Sequence, residues 1–598
     1  MSRKENKPHR EAVCPGKKDG LVDVGREIAE KNAPEFWRSL EELAAKPEFR
    51  EMVHREFPKG ASEWVDAVSR RGFLKLMGSS LALAGMTACT KQPFEPIVPY
   101  VRQPEELVLG RALYYATAFT LGGYGTPLLV TSREFRPIKI EGNDRHPASV
   151  GGTDVYAQAS ILNLYDPDRA ENVSSLGNIV NWSDFVTALQ GPLNAQQAKR
   201  GAGIRFLSGS FSSPILAEQM QAVQRRFPES KWHFWEPVNR DHVYEGARMA
   251  FGQPVETTYK LDRADVVVSL DADFLYAGYP GMARYARDFA RRRDPDSGSM
   301  SRFYAIESTP TSTGAKADHR LPVKAERIEA IARLLFAGGD KAGPTGLSDD
   351  ARKLLDAVEN DLAGHRGASV VIAGDHQPAV VHALSHAINQ RLGNAGRTVF
   401  YSDPVLSFTG SHQDSLRDLI TDLAAGKVEM LIILGGNPVY DAPADFAFSD
   451  ALRQSNTPLR IHLSSHYDET SDLCHWHIPE NHYLEAWGDT RAYDGTVSIV
   501  QPLIAPLYQG RSAIELVGFL AGQNEPTGHG LVENYWKSKH SGEDFDLWWR
   551  KSLEQGWIEG TTSPPKQVVL KNADFPAPAP QAEANAVEIN FRFDPSVY

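Results

Sequence analysis

The chain has 598 residues, 41% of them hydrophobic, so it can bury several cores and is long enough for more than one domain. Its formal net charge of −12 argues against a nucleic-acid partner. Of its three cysteines, Cys14 precedes an expected cleavage point and Cys89 is an expected acylation site, which leaves Cys474 alone, too few for a disulfide framework or for an iron–sulfur cluster held by this chain alone, and no CxxCH haem site is present.

Apolar residues fall at helical spacing in FWRSLEEL (36–43) and in FREMVHREFP (49–58), which ends on Pro58. They predict two short amphipathic helices in an extended leader over residues 1–68. Two roles stand open for it: a segment removed with the signal or bound by an export chaperone, or a marginally folded tail. Arg70 and Arg71 then stand in SRRGFLK, ahead of the weakly apolar run LMGSSLALAGM (76–86). A twin arginine before so short a run reads as a signal over 69–88 that exports an already folded protein, because spanning a bilayer takes roughly 20 apolar residues. Small residues precede Cys89, as in a lipoprotein cleavage box. Cys89 is therefore expected to become a lipidated N-terminus, the plain alternative being an ordinary small hydrophobe. No later stretch approaches a membrane span.

Prolines between Pro93 and Pro104 mark an extended linker. Residues 126–132 and 136–143 predict paired β-segments, a small N-terminal β region. The pattern then turns α/β. Apolar strands are expected at 204–209, 265–271, 369–374 and 430–435, each ending in Gly, Ser or Asp, as strands do at the carboxyl edge of a parallel sheet where ligands bind. The expected body is two interleaved doubly wound α/β subdomains over residues 89–560. Beyond Trp557 the composition shifts, and the prolines of 561–598 predict a linker with a last strand at 588–593.

Several segments together resemble the large subunit of the molybdopterin oxidoreductase superfamily. RPIKIEGN (136–143) with His146-Pro147 and Gly151-Gly152 resembles that family's early loop. Ala387-Ile388-Asn389 with LGNAG (392–396) resembles its helix-to-loop segment, and GGNPV (435–439) its glycine–asparagine–proline loop. Asp468-Glu469-Thr470 with LEAWGD (484–489) resembles the region approaching the pterin. Such loops suit dinucleotide phosphates, since glycines let backbone N–H groups approach the anion, and they equally suit plain strand-end turns. The chemistry of active members is missing. No cysteine lies between Cys89 and Cys474, and TDVYAQ (153–158) stands where the family often shows a cysteine and a lysine–glycine.

A narrower likeness accounts for these losses. The leader, the late twin arginine, PIVPYV (96–101) and QPLIAPLY (501–508) are similar to the extended-signal, Tat-variant molybdopterin oxidoreductase of alternative complex III, a bacterial membrane quinol:electron-acceptor oxidoreductase. The resemblance implies a molybdopterin-oxidoreductase-like α/β body without cofactor, catalytic residue or metal. It also implies iron–sulfur clusters in a following domain or separate polypeptide, and partners that include quinol-oxidising membrane subunits, cytochrome c subunits and the Tat export machinery. The expected location is the periplasmic face of the inner membrane.

One local cluster needs weighing. His462, His466, Cys474, His475, His477 and His482 crowd a short stretch in which Cys474 to His477 could ligate a metal. His475 and His477 alternate with Trp476 as on an extended segment, which suits a cleft remnant or packing. Glu307 and Asp318-His319-Arg320 resemble another family loop and read as structural. Three functions compete: a cofactorless scaffold, an active enzyme using molybdopterin guanine dinucleotide with oxygen ligands replacing cysteine, and a lipid-tethered binding module.

Overall fold

Segments rich in β-branched and aromatic residues build the first sheet. β1 (Leu113–Leu121), β2 (Tyr124–Arg133) and β3 (Arg136–Gly142) run antiparallel in that order. Leu128, Val130 and Ile140 are buried on one face while Ile138 points to solvent. Asp154 caps α1 (Val155–Leu164) by accepting from the Ala157 N–H, and Ala157 and Leu164 join the same small core. The computed structural model describes Val108, residues 110–298, 300–338, 347–542, 544–571, 575–577 and 587–592, all within the unit of residues 105–598. The leader, Arg70, Arg71 and Cys89 lie outside the described residues.

The chain next enters a seven-stranded sheet through β4 (Ser174–Ser175), β5 (Asn178–Ile179), β6 (Ile204–Ser208) and β7 (Lys231–Phe234). α2 (Trp182–Ala198) precedes β6, and α3 (Pro214–Arg226) crosses from β6 to β7. After α4 (Asp241–Phe251), β8 (Glu256–Tyr259) leads into a second sheet. That sheet holds β9 (Val266–Leu270), β10 (Arg302–Glu307), β11 (His319–Pro322) and β12 (Ser369–Ala373), all parallel, in the order β11-β10-β9-β12. α5 (Met282–Arg291), α6 (Glu326–Ala337), α7 (Asp349–Gly364) and α8 (Ala379–Arg391) are its helices.

β13 (Val399–Ser402) then pairs antiparallel with β8, and α9 (His412–Ala424) returns the chain to the first sheet. There β14 (Met430–Leu434), β15 (Leu459–Ser464) and β16 (Trp476–Pro479) complete the order β5-β4-β16-β15-β14-β6-β7. A pair, β17 (Gly488–Arg491) and β18 (Val497–Val500), and helices α10 (Ala513–Leu520), α11 (Gly528–Lys539) and α12 (Phe545–Gln555) follow. The doubly wound subdomains expected from sequence are therefore present and interleaved, because the chain leaves the first sheet after β7 and rejoins it at β14.

The four strands read from their apolar runs, β6, β9, β12 and β14, are buried at every residue. That is the signature of parallel strands covered on both faces. Asn389, in the LGN-like segment, is a structural fastener. Its side chain donates to the Val371 carbonyl at 2.8 Å and accepts from the Val371 N–H at 3.1 Å, tying α8 to β12. The C-terminal stretch expected as a linker packs on the body: Lys566 N–H donates to the Tyr401 carbonyl and Lys571 N–H to the Ala250 carbonyl. Val568 is buried in the core around β9 and α4. Residues 588–592 join no sheet, so the last strand expected there does not form, and Phe593 lies outside the described residues.

Candidate functional site

Each sheet has a topological switch point, where neighbouring parallel strands send their crossovers to opposite sides, and each carries a cleft at its carboxyl edge. In the first sheet β6 turns toward β7 and β14 toward β15, while Ser208 and Leu434 sit side by side at the strand ends. In the second, β9 turns toward β10 with β12 on its other side, and Leu270 faces Ala373. A cleft of about 420 Å³ lies at the first, lined by Gly209, Glu236, Gly435, Gly436, Asp441 and Glu480. A larger one of about 900 Å³ lies at the second, lined by Tyr124, Arg240, Tyr279, Thr311, Asp375 and Arg592 among others. The two share Gly122 and Pro237.

At the smaller cleft the chain fills its own anion-binding turns. The Ser210 N–H, following the glycine after β6, donates to Glu236 Oε1 at 2.9 Å. A Cβ on Gly209 would stand 2.5 Å from that same oxygen, so the carboxylate rests on the bare backbone of the turn. At the start of α3, Asp489 Oδ1 accepts from Ser213 Oγ at 2.6 Å and from the Ile215 N–H at 3.3 Å, while Trp536 Nε1 donates to Oδ2 at 3.0 Å. Burial raises the Glu236 carboxyl to about 7 despite that N–H, and raises Glu480 to about 7. Burial also pushes up Asp489, to about 6, and Asp441.

The larger cleft is charged and paired. Arg240 bridges the subdomains: its Nη1 lies 3.0 Å from Asp375, its Nη2 lies 3.9 Å from the buried Glu256, and its guanidinium stands over the rings of Tyr124 and Tyr279, each 5.8 Å away. Burial pushes the Glu256 carboxyl up, opposed by Arg240 and by the Tyr244 and Tyr124 hydroxyls that donate to it.

Beside this pair Asp271 follows β9 at φ 58°, a left-handed conformation uncommon for a non-glycine residue. Its carboxylate accepts from Ser308 N–H and Oγ, His376, Gln377 and Arg592. Burial alone would raise it, but the hydrogen bond from His376 and the Arg592 charge win and hold it at about 2. Nearby, the Thr313 N–H donates to Asp273 at 2.9 Å.

These contacts decide how well the clefts suit a dinucleotide. A phosphate needs open N–H donors at a strand-to-helix turn. Here the Ser210, Ile215, Ser308 and Thr313 N–H groups already donate to carboxyl groups of the chain, so an entering phosphate would find these donors taken. Neither cleft is lined by a cysteine or a lysine among the described residues. Asp154, in the TDVYAQ segment, is spent on capping α1.

The histidine cluster spreads its ring nitrogens over separate partners. His462 pairs with Ser471 Oγ and the Gly436 carbonyl, His475 Nδ1 accepts from the Arg460 N–H, and His482 Nε2 pairs with the Ser160 carbonyl. His477 shares Ser471, and His466 pairs with Asp166. Cys474 sits in the apolar core under β14, where burial pushes its thiol up to about 12. His462 alone reaches the glycine loop of the smaller cleft. Glu307 and Arg320 pair directly, with Thr311 donating to Glu307, and Asp318 takes both Nη groups of Arg293, so these side chains are held by one another. Sequence reasoning reached Asp271 only as the end of an expected strand at a ligand-binding edge, and it missed Glu236, Glu480, Arg240 and Arg592. Glu236, two residues past β7, carried a local signal of the same kind.

No family model matches the chain. A menaquinone reductase, molybdopterin-binding-like subunit, from Nitratidesulfovibrio vulgaris is 24% identical over 582 residues, covering 88% of this chain and 83% of that protein. Among solved structures, acetylene hydratase from Pelobacter acetylenicus superposes with a TM-score of 0.52 at 11% identity, covering 75% of this chain and 74% of that one. The fold is thus the molybdopterin-oxidoreductase-like α/β architecture that the motifs implied.

Proposed function

We propose that this chain is a cofactorless, molybdopterin-oxidoreductase-like scaffold subunit of a membrane quinone oxidoreductase complex of the alternative complex III kind. Similarity to the menaquinone reductase subunit along 88% of the chain supports the placement in a quinone-linked complex. The observation that carries the scaffold reading is that the anion-binding turns at both switch points are occupied by the protein's own carboxylates. Electron transfer then belongs to iron–sulfur clusters in a following domain or separate polypeptide, with quinol-oxidising membrane subunits and cytochrome c subunits as partners. Arg70 and Arg71 direct export by the Tat machinery, and an acylated Cys89 tethers the body at the periplasmic face of the inner membrane.

Elemental analysis of the full chain, produced with molybdenum and iron available, tests the scaffold reading. The expected result is neither metal in stoichiometric amount. Stoichiometric molybdenum with extractable pterin overturns it in favour of an active exported oxidoreductase. Changing Arg70 and Arg71 to Lys should leave precursor in the cytoplasm, because Lys lacks the planar guanidinium fork; unimpaired export of that variant removes the twin-arginine reading.

A further inference from the structure

Residues 587–592 lie along the carboxyl edge of the second sheet in strict alternation. Val587, Ile589 and Phe591 are 88%, 76% and 85% exposed, so apolar burial does not hold this segment. The intervening side chains do. Glu588 accepts from the Ala325 and Glu326 N–H groups at the start of α6, at 2.8 and 2.9 Å. Asn590 Nδ2 donates to Ser308 Oγ at 2.9 Å, and Arg592 Nη2 donates to Asp271 Oδ1 at 2.7 Å. Phe591 and Arg592 form part of the wall of the larger cleft.

The far end of the strap meets a built receptor. The Asp271 side chain is fully buried, and Ser308, His376 and Gln377 hold its two oxygens from the other sides. Arg592 is the permanent cation among these donors, and a buried carboxylate without a cation is costly.

We propose that Asp271, Ser308 and His376 form a guanidinium-binding site filled in cis by Arg592, so that residues 588–592 act as a strap closing one side of the larger cleft. The guanidinium is the chemical class of ligand the site takes, and the strap supplies it. Removing Arg592 opens the site to a small external guanidinium ion.

Two measurements on the full chain test this. Ser308→Cys combined with Asn590→Cys should cross-link on mild oxidation, while Ser308→Cys with Ile589→Cys, whose side chain faces solvent, should not. In Arg592→Ala, amide exchange over residues 308–313 should rise about tenfold. Millimolar methylguanidinium should restore protection, and tetramethylammonium at equal ionic strength should not. An absent cross-link, unchanged exchange in Arg592→Ala, or rescue by neither or both cations overturns the proposal. Metal content and amide exchange are separate readouts, so the strap and the scaffold reading can fail independently.

Discussion

The two switch points occupy the same position in their sheets, yet Glu236 and Glu480 at one and Asp271 at the other are shifted in opposite directions. At the first, Glu236 and Glu480 make no ion pair among the described residues, and burial lifts both to about 7, with His412 only partly opposing it at Glu236. At the second, the Asp271 side chain is also buried but is held at about 2, because His376 and Arg592 reach it. Burial sets the cost of the charge, and a cation within hydrogen-bond reach decides whether that cost is met. The donor delivering it comes from a segment 321 residues away in sequence, so this difference is a property of the assembled fold.

The strongest way to break the contrast is Asp271→Ala. It strips the acceptor from Ser308, His376, Gln377 and Arg592 at once and should destabilise the protein by about 3 kcal/mol, read as a lowered thermal midpoint. Gly374→Ala should cost about 2 kcal/mol. A Cβ there would stand 2.1 Å from the Asp271 carbonyl oxygen, and backbone rather than a flexible side chain would have to shift. The equivalent Gly435→Ala at the first switch point has only Glu480 nearby, at 3.7 Å, and its cost should come instead from φ 66°.

Glu480→Gln sharpens the comparison with the opposite sign. Between about pH 4.5 and 7 the folded protein keeps a proton on Glu480 that the unfolded chain has released, so stability falls as pH rises through that window. The glutamine variant should therefore be more stable than the parent by about 1 to 2 kcal/mol at pH 8, with the gain vanishing near pH 4.5, as denaturant midpoints across pH will show.

The smallest effect concerns the strap. Asp271 has a lowered folded value, so its pairing contributes stability above about pH 4, lost as pH falls toward 2. In Arg592→Ala that loss should begin at a higher pH and the stability at neutral pH should drop by about 1 kcal/mol, the guanidinium being partly solvent-screened. Midpoints at pH 3 and pH 7 compare the two directly.

Local pattern made much of the scaffold legible. Apolar runs of six or seven residues identified β6, β9, β12 and β14, and flanking turn residues identified the β2–β3 pair. The early loop, the LGN segment and the glycine–asparagine–proline loop pointed to the right fold. Their residues proved to serve structure first: His146 Nδ1 accepts from the Ala148 N–H, and Asn437 bonds Thr470 and Glu469. Proline content alone made 561–571 look like a linker. The ladder-like contacts that dock it come from Tyr401 and Ala250, which no local pattern announces.

The sequence by itself determined the α/β class, the order of the principal strands, the export and lipidation signals as expectations, and the shortage of cysteine ligands. These depend on residue type and near-neighbour spacing. Only the tertiary structure decided which N–H groups at the strand ends are already taken, which carboxyls are shifted up and which down, and that Arg592 reaches Asp271. Those outcomes depend on desolvation and on partners brought together across hundreds of residues, and neither quantity is carried by any short stretch of chain.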